Sequence, residues 1–100
     1  MPKIEYEHEL EQHIEVINPK MYKVLLLNDD YTSMDFVMNV LMSIFRKNEQ
    51  EAYTIMMKVH KEGRAVCGIY TYEIAETKVA QVESVAKKNN FPLKAILEEE

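Results

Sequence analysis

The chain has one cysteine, two glycines, three prolines and no tryptophan among 100 residues, and no apolar run long enough to cross a bilayer. A single cysteine, Cys67, cannot close an internal disulfide. No phosphate loop, nucleophile elbow or zinc-spaced set of Cys and His occurs, which removes the commonest sequence signals of enzymes. Basic residues are also scarce: 12 Lys and Arg stand against 17 Asp and Glu, a formal charge of −5. That balance argues against phosphate-backbone binding as the main task, because such binding needs clustered Lys and Arg. A cationic or apolar partner fits better. The N-terminal stretch Met1-Pro2-Lys3-Ile4-Glu5 lacks the apolar segment of a secretory signal, so a cytoplasmic protein is expected, with no membrane and no nucleic acid as partner.

What is present fits one domain with a modest core, since 47% of the residues are hydrophobic. Residues 1–20 read as an acidic, mobile arm that ends near Asn18-Pro19, and residues 21–100 as the domain proper. Within the arm, HELEQH sets His8 and His13 around glutamates, but five positions apart the two diverge around a helix, where the HExxH zinc motif needs four. A solvated tail is the better reading.

The domain begins with MYKVLLL, a short apolar run closely bounded by turn residues, which predicts a buried strand from Met21 to Leu27. Met34, Val37, Met38, Leu41, Met42 and Phe45 then fall at the offsets of an amphipathic helix, with Thr32 or Ser33 to cap it and Arg46 and Lys47 to suit its far end. Asn48 with Glu51 forms a capping-box pattern that opens a second helix, carrying Ala52, Ile55, Met56 and Val59 on one stripe and ending at Gly63. RAVCGIYT, 64 to 71, predicts a second strand, with Gly68 marking a bulge or a close backbone approach. A third helix from about Tyr72 to Lys88 buries Ala75, Val79, Val82 and Ala86. Asn89-Asn90 stops it, and Leu93 to Leu97 forms a last strand. The order is β-α-α-β-α-β, without internal repeats.

Functional interest falls on Asn28-Asp29-Asp30, at the junction of the first strand and first helix, where polar groups often act. These residues are also good turn formers, and a carboxylate can cap the following helix. Beside them, Met34 and Val37 supply an apolar surface on the helix's opening turn. Acidic groups next to such a surface suit a ligand with an ammonium head and a greasy side chain, and a free peptide N-terminus is one. His60 lies one turn beyond Met56 on the second helix; it reads either as a surface residue favoured by the helix dipole or as a ligand contact. Methionines 34, 38, 42, 56 and 57 belong to a core or to an adaptable pocket.

The segments YKVLLLNDDYTSMDFV, MMKVHKEGRAVCGIYTYEIAETKV and FPL, in this order, closely resemble the ClpS family, adaptors that hand N-degron substrates to an AAA+ Clp protease. The resemblance spans roughly Tyr22 to Leu97. It implies an α+β fold, three helices on a three-stranded antiparallel sheet, and no cofactor, metal or catalysis. It also implies binding of proteins that begin with Leu, Phe, Tyr or Trp. Asn28, Asp29 and His60 would receive the α-amino group and first peptide unit, with Asp30 in support. Thr32, Met34, Val37, Met56 and Leu93 would line the pocket for the first side chain. The family's interface with the unfoldase matches Tyr31, Glu73, Glu76 and Lys78, the partner being the N-terminal domain of a ClpA- or ClpC-type unfoldase. The arm would engage that unfoldase during delivery, and a monomer is expected. Ser33 replaces the proline common in the family, and serine can occupy a first helical turn, so a slightly looser junction is expected.

Two other classes compete. A structural domain shaped like the C-terminal domain of the ribosomal stalk protein would show no preference for free peptide N-termini. A small hydrolase using His60 with Cys67 or Asp29 would turn over a peptide that an adaptor releases intact.

Overall fold

The computed structural model describes residues 19–100. The expected arm falls almost wholly outside these residues, as does HELEQH. Six elements follow the expected order: β1 (Met21–Leu27), α1 (Met34–Ser43), α2 (Glu49–Glu62), β2 (Arg64–Thr71), α3 (Tyr72–Lys88) and β3 (Lys94–Glu99). The sheet order is β2-β1-β3, antiparallel throughout, with the most apolar strand in the middle.

Strand alternation decides which face is covered. Val24 and Leu26 of β1 are fully buried and share one cluster with Ala65 and Cys67 of β2 and with residues of all three helices. The helices therefore pack on one face. Leu25 points to the other face, yet only 5% of it is exposed. Arg64 and Glu98, on the two outer strands, form an ion pair that must pass over β1 on that side, with Arg64 donating to Glu98 Oε2 at 2.8 Å. Such an exposed pair adds little stability, but its aliphatic stems shield the leucine.

The irregularity expected at Gly68 is a bulge. Val24 faces Gly68 while Leu25 faces Val66, which leaves Cys67 as the extra residue. A Cβ on Gly68 would lie 2.3 Å from the Tyr70 hydroxyl, so the glycine makes room for the tyrosine ring folded over it.

Helix ends follow sequence chemistry with one exception. Asn48 and Glu51 complete a capping box, and Gly63 closes α2 at φ 88° in the left-handed region. Asn89 and Asn90 end α3, Asn90 at φ 60°. α1 stops at Ser43 with Ile44 as its C-cap, short of Arg46, whose φ is 58°. Arg46 and Lys47 therefore lie beyond the last turn, which holds no basic residue. A cation reaches that helix end from elsewhere: Lys78 of α3 donates from Nζ to the Ile44 carbonyl at 2.7 Å, with its ammonium 5.8 Å from the centre of the Tyr70 ring. β3 starts at Lys94 and runs to Glu99, two residues past the expected end, because β1 offers partners as far as Tyr22.

Candidate functional site

β1 ends at Leu27, and the Asn28 amide donates to the Gly63 carbonyl at 2.9 Å. That bond ties the end of the central strand to the cap of α2 and so sets Asn28 near His60, which lies in the last turn of that helix. The chain then turns through Asp29, Asp30 and Tyr31 into α1. One carboxylate organises the turn. Asp29 Oδ1 accepts from the Tyr31 amide at 2.9 Å and the Thr32 amide at 2.7 Å, while Oδ2 accepts from the Thr32 hydroxyl at 2.8 Å. Burial acts to raise the Asp29 pKa, but the amide and hydroxyl of Thr32 and the amide of Tyr31 outweigh it, and the carboxyl is held below its ordinary 3.8.

Ser33 is the N-cap of α1, at φ −69° and ψ 150°, and its hydroxyl accepts from the Phe36 amide at 3.1 Å. Of the two cap candidates in the sequence, Thr32 and Ser33, it is the serine that takes the position. Proline could not make this hydrogen bond, so the serine brings a cap of its own to the junction.

These elements enclose a cavity of about 230 Å³. Asn28, Asp29, Asp30 and His60 form its polar side, and Thr32, Met34, Val37, Met56 and Val59 complete the lining. The floor is apolar and buried: Val37, Met56 and Val59 are 4 to 8% exposed, whereas Met34 at the mouth is 50% exposed. Eight of the nine residues expected for the amine site and pocket meet here. Leu93 does not. It is buried in the common core and borders a different groove, of about 250 Å³, between the end of α3 and the start of β3. The residue missed from sequence is Val59. Its place on the apolar stripe of α2, just before His60, carried the signal, since the stripe's last turn is the part that reaches the junction.

The two aspartates differ in what they can still do. Two of the three bonds to Asp29 fill one oxygen, so a single acceptor position remains, at Oδ2. Asp30 is exposed on the rim. Asp29 thus supports the turn and still keeps an acceptor position for a ligand.

The four residues matched to an unfoldase interface come from two parts of the fold, the β1–α1 junction and the first turns of α3. Tyr31, 81% exposed, follows the Leu27 end of β1; Glu73 opens α3 beside the Met21 end, about 20 Å away by strand rise. Glu76 accepts from the Tyr72 hydroxyl at 3.1 Å, and Lys78 is half-buried by its bond to Ile44. Cys67 offers no nucleophile: it is 1% exposed on the covered face of the sheet, and burial pushes its thiol up to about 12. Among the described residues no group of acidic, histidine or cysteine side chains is placed to hold a metal, and no helix is long and apolar enough to cross a membrane.

Fold and site together define a small α+β binding domain, with an apolar cavity beneath an acidic and amide rim. The profile of the family described as ATP-dependent Clp protease adaptor protein ClpS matches residues 17–96. A ClpS adapter protein of Wolinella succinogenes is 58% identical over 95 residues, covering 95% of this chain and 93% of its own. One from Helicobacter hepaticus is 56% identical over 81 residues, covering 81% of this chain and 82% of its own. Among solved structures, Agrobacterium tumefaciens ClpS2 bound to L-phenylalaninamide is similar, with a TM-score of 0.80 and 43% identity over 83% of this chain and all of that one. The chain belongs to the ClpS family of Clp protease adaptors.

Proposed function

We propose that this protein binds substrates whose first residue is bulky and apolar, Leu, Phe, Tyr or Trp, and delivers them to the N-terminal domain of a ClpA- or ClpC-type AAA+ unfoldase in the cytoplasm. The carrying observation is the cavity itself, an apolar floor directly beneath Asn28, Asp30 and His60, in a chain that resembles an adaptor holding L-phenylalaninamide. That compound has the chemistry of an N-terminal phenylalanine: a free amine, a benzyl side chain and one amide. Asp30, Asn28 and His60 take the ammonium and first peptide unit, and Asp29 holds the turn and adds its charge. The side chain enters between Met34, Val37, Met56 and Val59.

The magnitudes fit binding without turnover. A free α-amine titrates at roughly 7.7 to 8.0, so much of it is cationic at neutral pH and makes charge-assisted bonds. Burying a phenylalanine or leucine side chain contributes roughly 1.5 to 3 kcal/mol, and each bond to a charged group roughly 1.5 to 3. Two or three such bonds plus the side chain, less the cost of immobilisation, give an affinity on the order of micromolar.

Fluorescence anisotropy with peptides that differ only in the first residue, Leu or Phe against Ala, each with a free and an acetylated N-terminus, tests this directly. Tight binding is expected only for free Leu and Phe, and the peptide is expected to be recovered intact. Equal, weak binding of all six would put the structural-domain reading first.

A further inference from the structure

The exposed apolar side chains of α1 and α2 are not scattered. The two helices run antiparallel, so Met34 on α1 lies near His60 on α2, and the C-terminal part of α1 lies near the first turns of α2. Beyond the cavity, a shallow depression on the same seam is lined by Met38 with Glu49, Gln50 and Tyr53. Met34 and Met38 are one turn apart on α1, and Tyr53 lies about one turn before Met56 on α2, so the two depressions adjoin. Met34 is 50%, Met42 42% and Tyr53 55% exposed. None of the three is needed in the core. Met34 already borders the cavity, and Met42, two turns further along α1, and Tyr53 stay exposed outside both the cavity and the core.

We propose that this seam is a second recognition surface, which takes the residues following the first one of a bound substrate and favours apolar side chains there. The inference rests on the proposed function, because continuity with the cavity identifies the occupant. A substrate whose amine sits at the Asn28 rim and whose first side chain points to the floor can leave over Met34 or over the opposite side. The other edge of the cavity is its polar side, with Asn28, Asp30 and His60 exposed there. The seam is the apolar way out. From Met34 to Met42 it extends about 12 Å by helical rise, the reach of about four extended residues. Methionine suits such a surface, since a flexible and polarizable side chain adapts to varied sequences.

The test compares three labelled peptides in anisotropy titrations: Phe followed by Leu-Ala-Val-Leu, Phe followed by Gly-Ser-Gly-Ser, and Ala followed by Gly-Ser-Gly-Ser, all with the same tail. The first is expected to bind about fivefold tighter than the second, as partial burial of a few apolar groups would give. In the exposed-site variant Tyr53→Ser that ratio is expected to fall toward one, as it is in Met42→Gln. Equal affinity of the two Phe peptides for the wild type, with the Ala peptide weaker, overturns the seam and leaves the cavity reading standing. A ratio that both variants preserve also overturns it, placing the apolar contacts elsewhere. No discrimination between Phe and Ala overturns the cavity reading and the seam with it.

Discussion

Asp29 and Asp30 are adjacent and chemically identical, yet their surroundings give them different work. Because Asp29 accepts three hydrogen bonds within the junction, Asp29→Ala is expected to weaken binding of every N-degron peptide and also to cost about 1 kcal/mol of stability, as loss of a capping carboxylate does. Asp30→Ala is expected to weaken binding with no change in melting temperature. Calorimetry of both variants beside peptide titrations separates the two effects, and identical behaviour would remove the distinction. The same carboxylate sets an acid sensitivity. Its folded pKa lies below the ordinary 3.8, so its contribution to stability is complete above that value and is lost as pH falls through the folded one. Wild type is therefore expected to lose more melting temperature than Asp29→Asn between about pH 5 and pH 3. At the cavity mouth, Met34→Ala is expected to change the ratio of Phe to Leu affinity by about tenfold, because it reshapes the wall that contacts the first side chain. An unaltered ratio would place the selecting wall elsewhere.

At the scale of elements, the site depends on where helices begin and end. Gly63 illustrates this: its left-handed φ of 88° ends α2, and its carbonyl accepts the Asn28 amide. A side chain there has open space but a strained backbone, so Gly63→Ala is expected to cost about 1 kcal/mol and to weaken peptide binding by displacing Asn28 relative to His60. Denaturant unfolding and titration of the same sample check both parts. Capping patterns such as Asn48 with Glu51 were legible in the sequence because they are local, a side chain meeting a backbone group three residues away. The end of α1 was not. Arg46 and Lys47 follow the apolar stripe closely enough to suit a helix terminus, but the helix stops at Ser43 and the carbonyl of its C-cap Ile44 meets Lys78, 34 residues further along the chain. The bond is a single one, from Lys78 Nζ to that carbonyl, and sequence spacing does not register a partner that arrives from another element.

For the whole molecule, the binding cavity and the first turn of α3 lie at opposite ends of the sheet. The proposed substrate site and an unfoldase contact on α3 would therefore not overlap. The Met21 end of β1, where the described chain enters the sheet, lies away from the cavity. Deleting residues 1–17 is expected to leave peptide affinity unchanged and to slow degradation of an N-degron reporter by the Clp protease; loss of affinity in the truncated protein would assign the arm to the pocket.

Sequence alone determined the order of the six elements, the strand limits of β1 and β2, the caps of α2, the bulge beside Gly68 and eight residues that line one cavity. Each of these is written in periodicity, in turn chemistry or in contiguous motifs, all of which act over a few residues. Tertiary structure alone decided that Asp29 organises the junction while Asp30 stands exposed on the rim, because that depends on where the Tyr31 and Thr32 donors point. It also decided that Val59 joins the cavity while Leu93 faces another groove, and that Lys78 completes a helix it does not belong to. Those outcomes turn on the packing of α1, α2 and α3 over one face of the sheet, where a side chain's neighbours come from segments far apart in the chain.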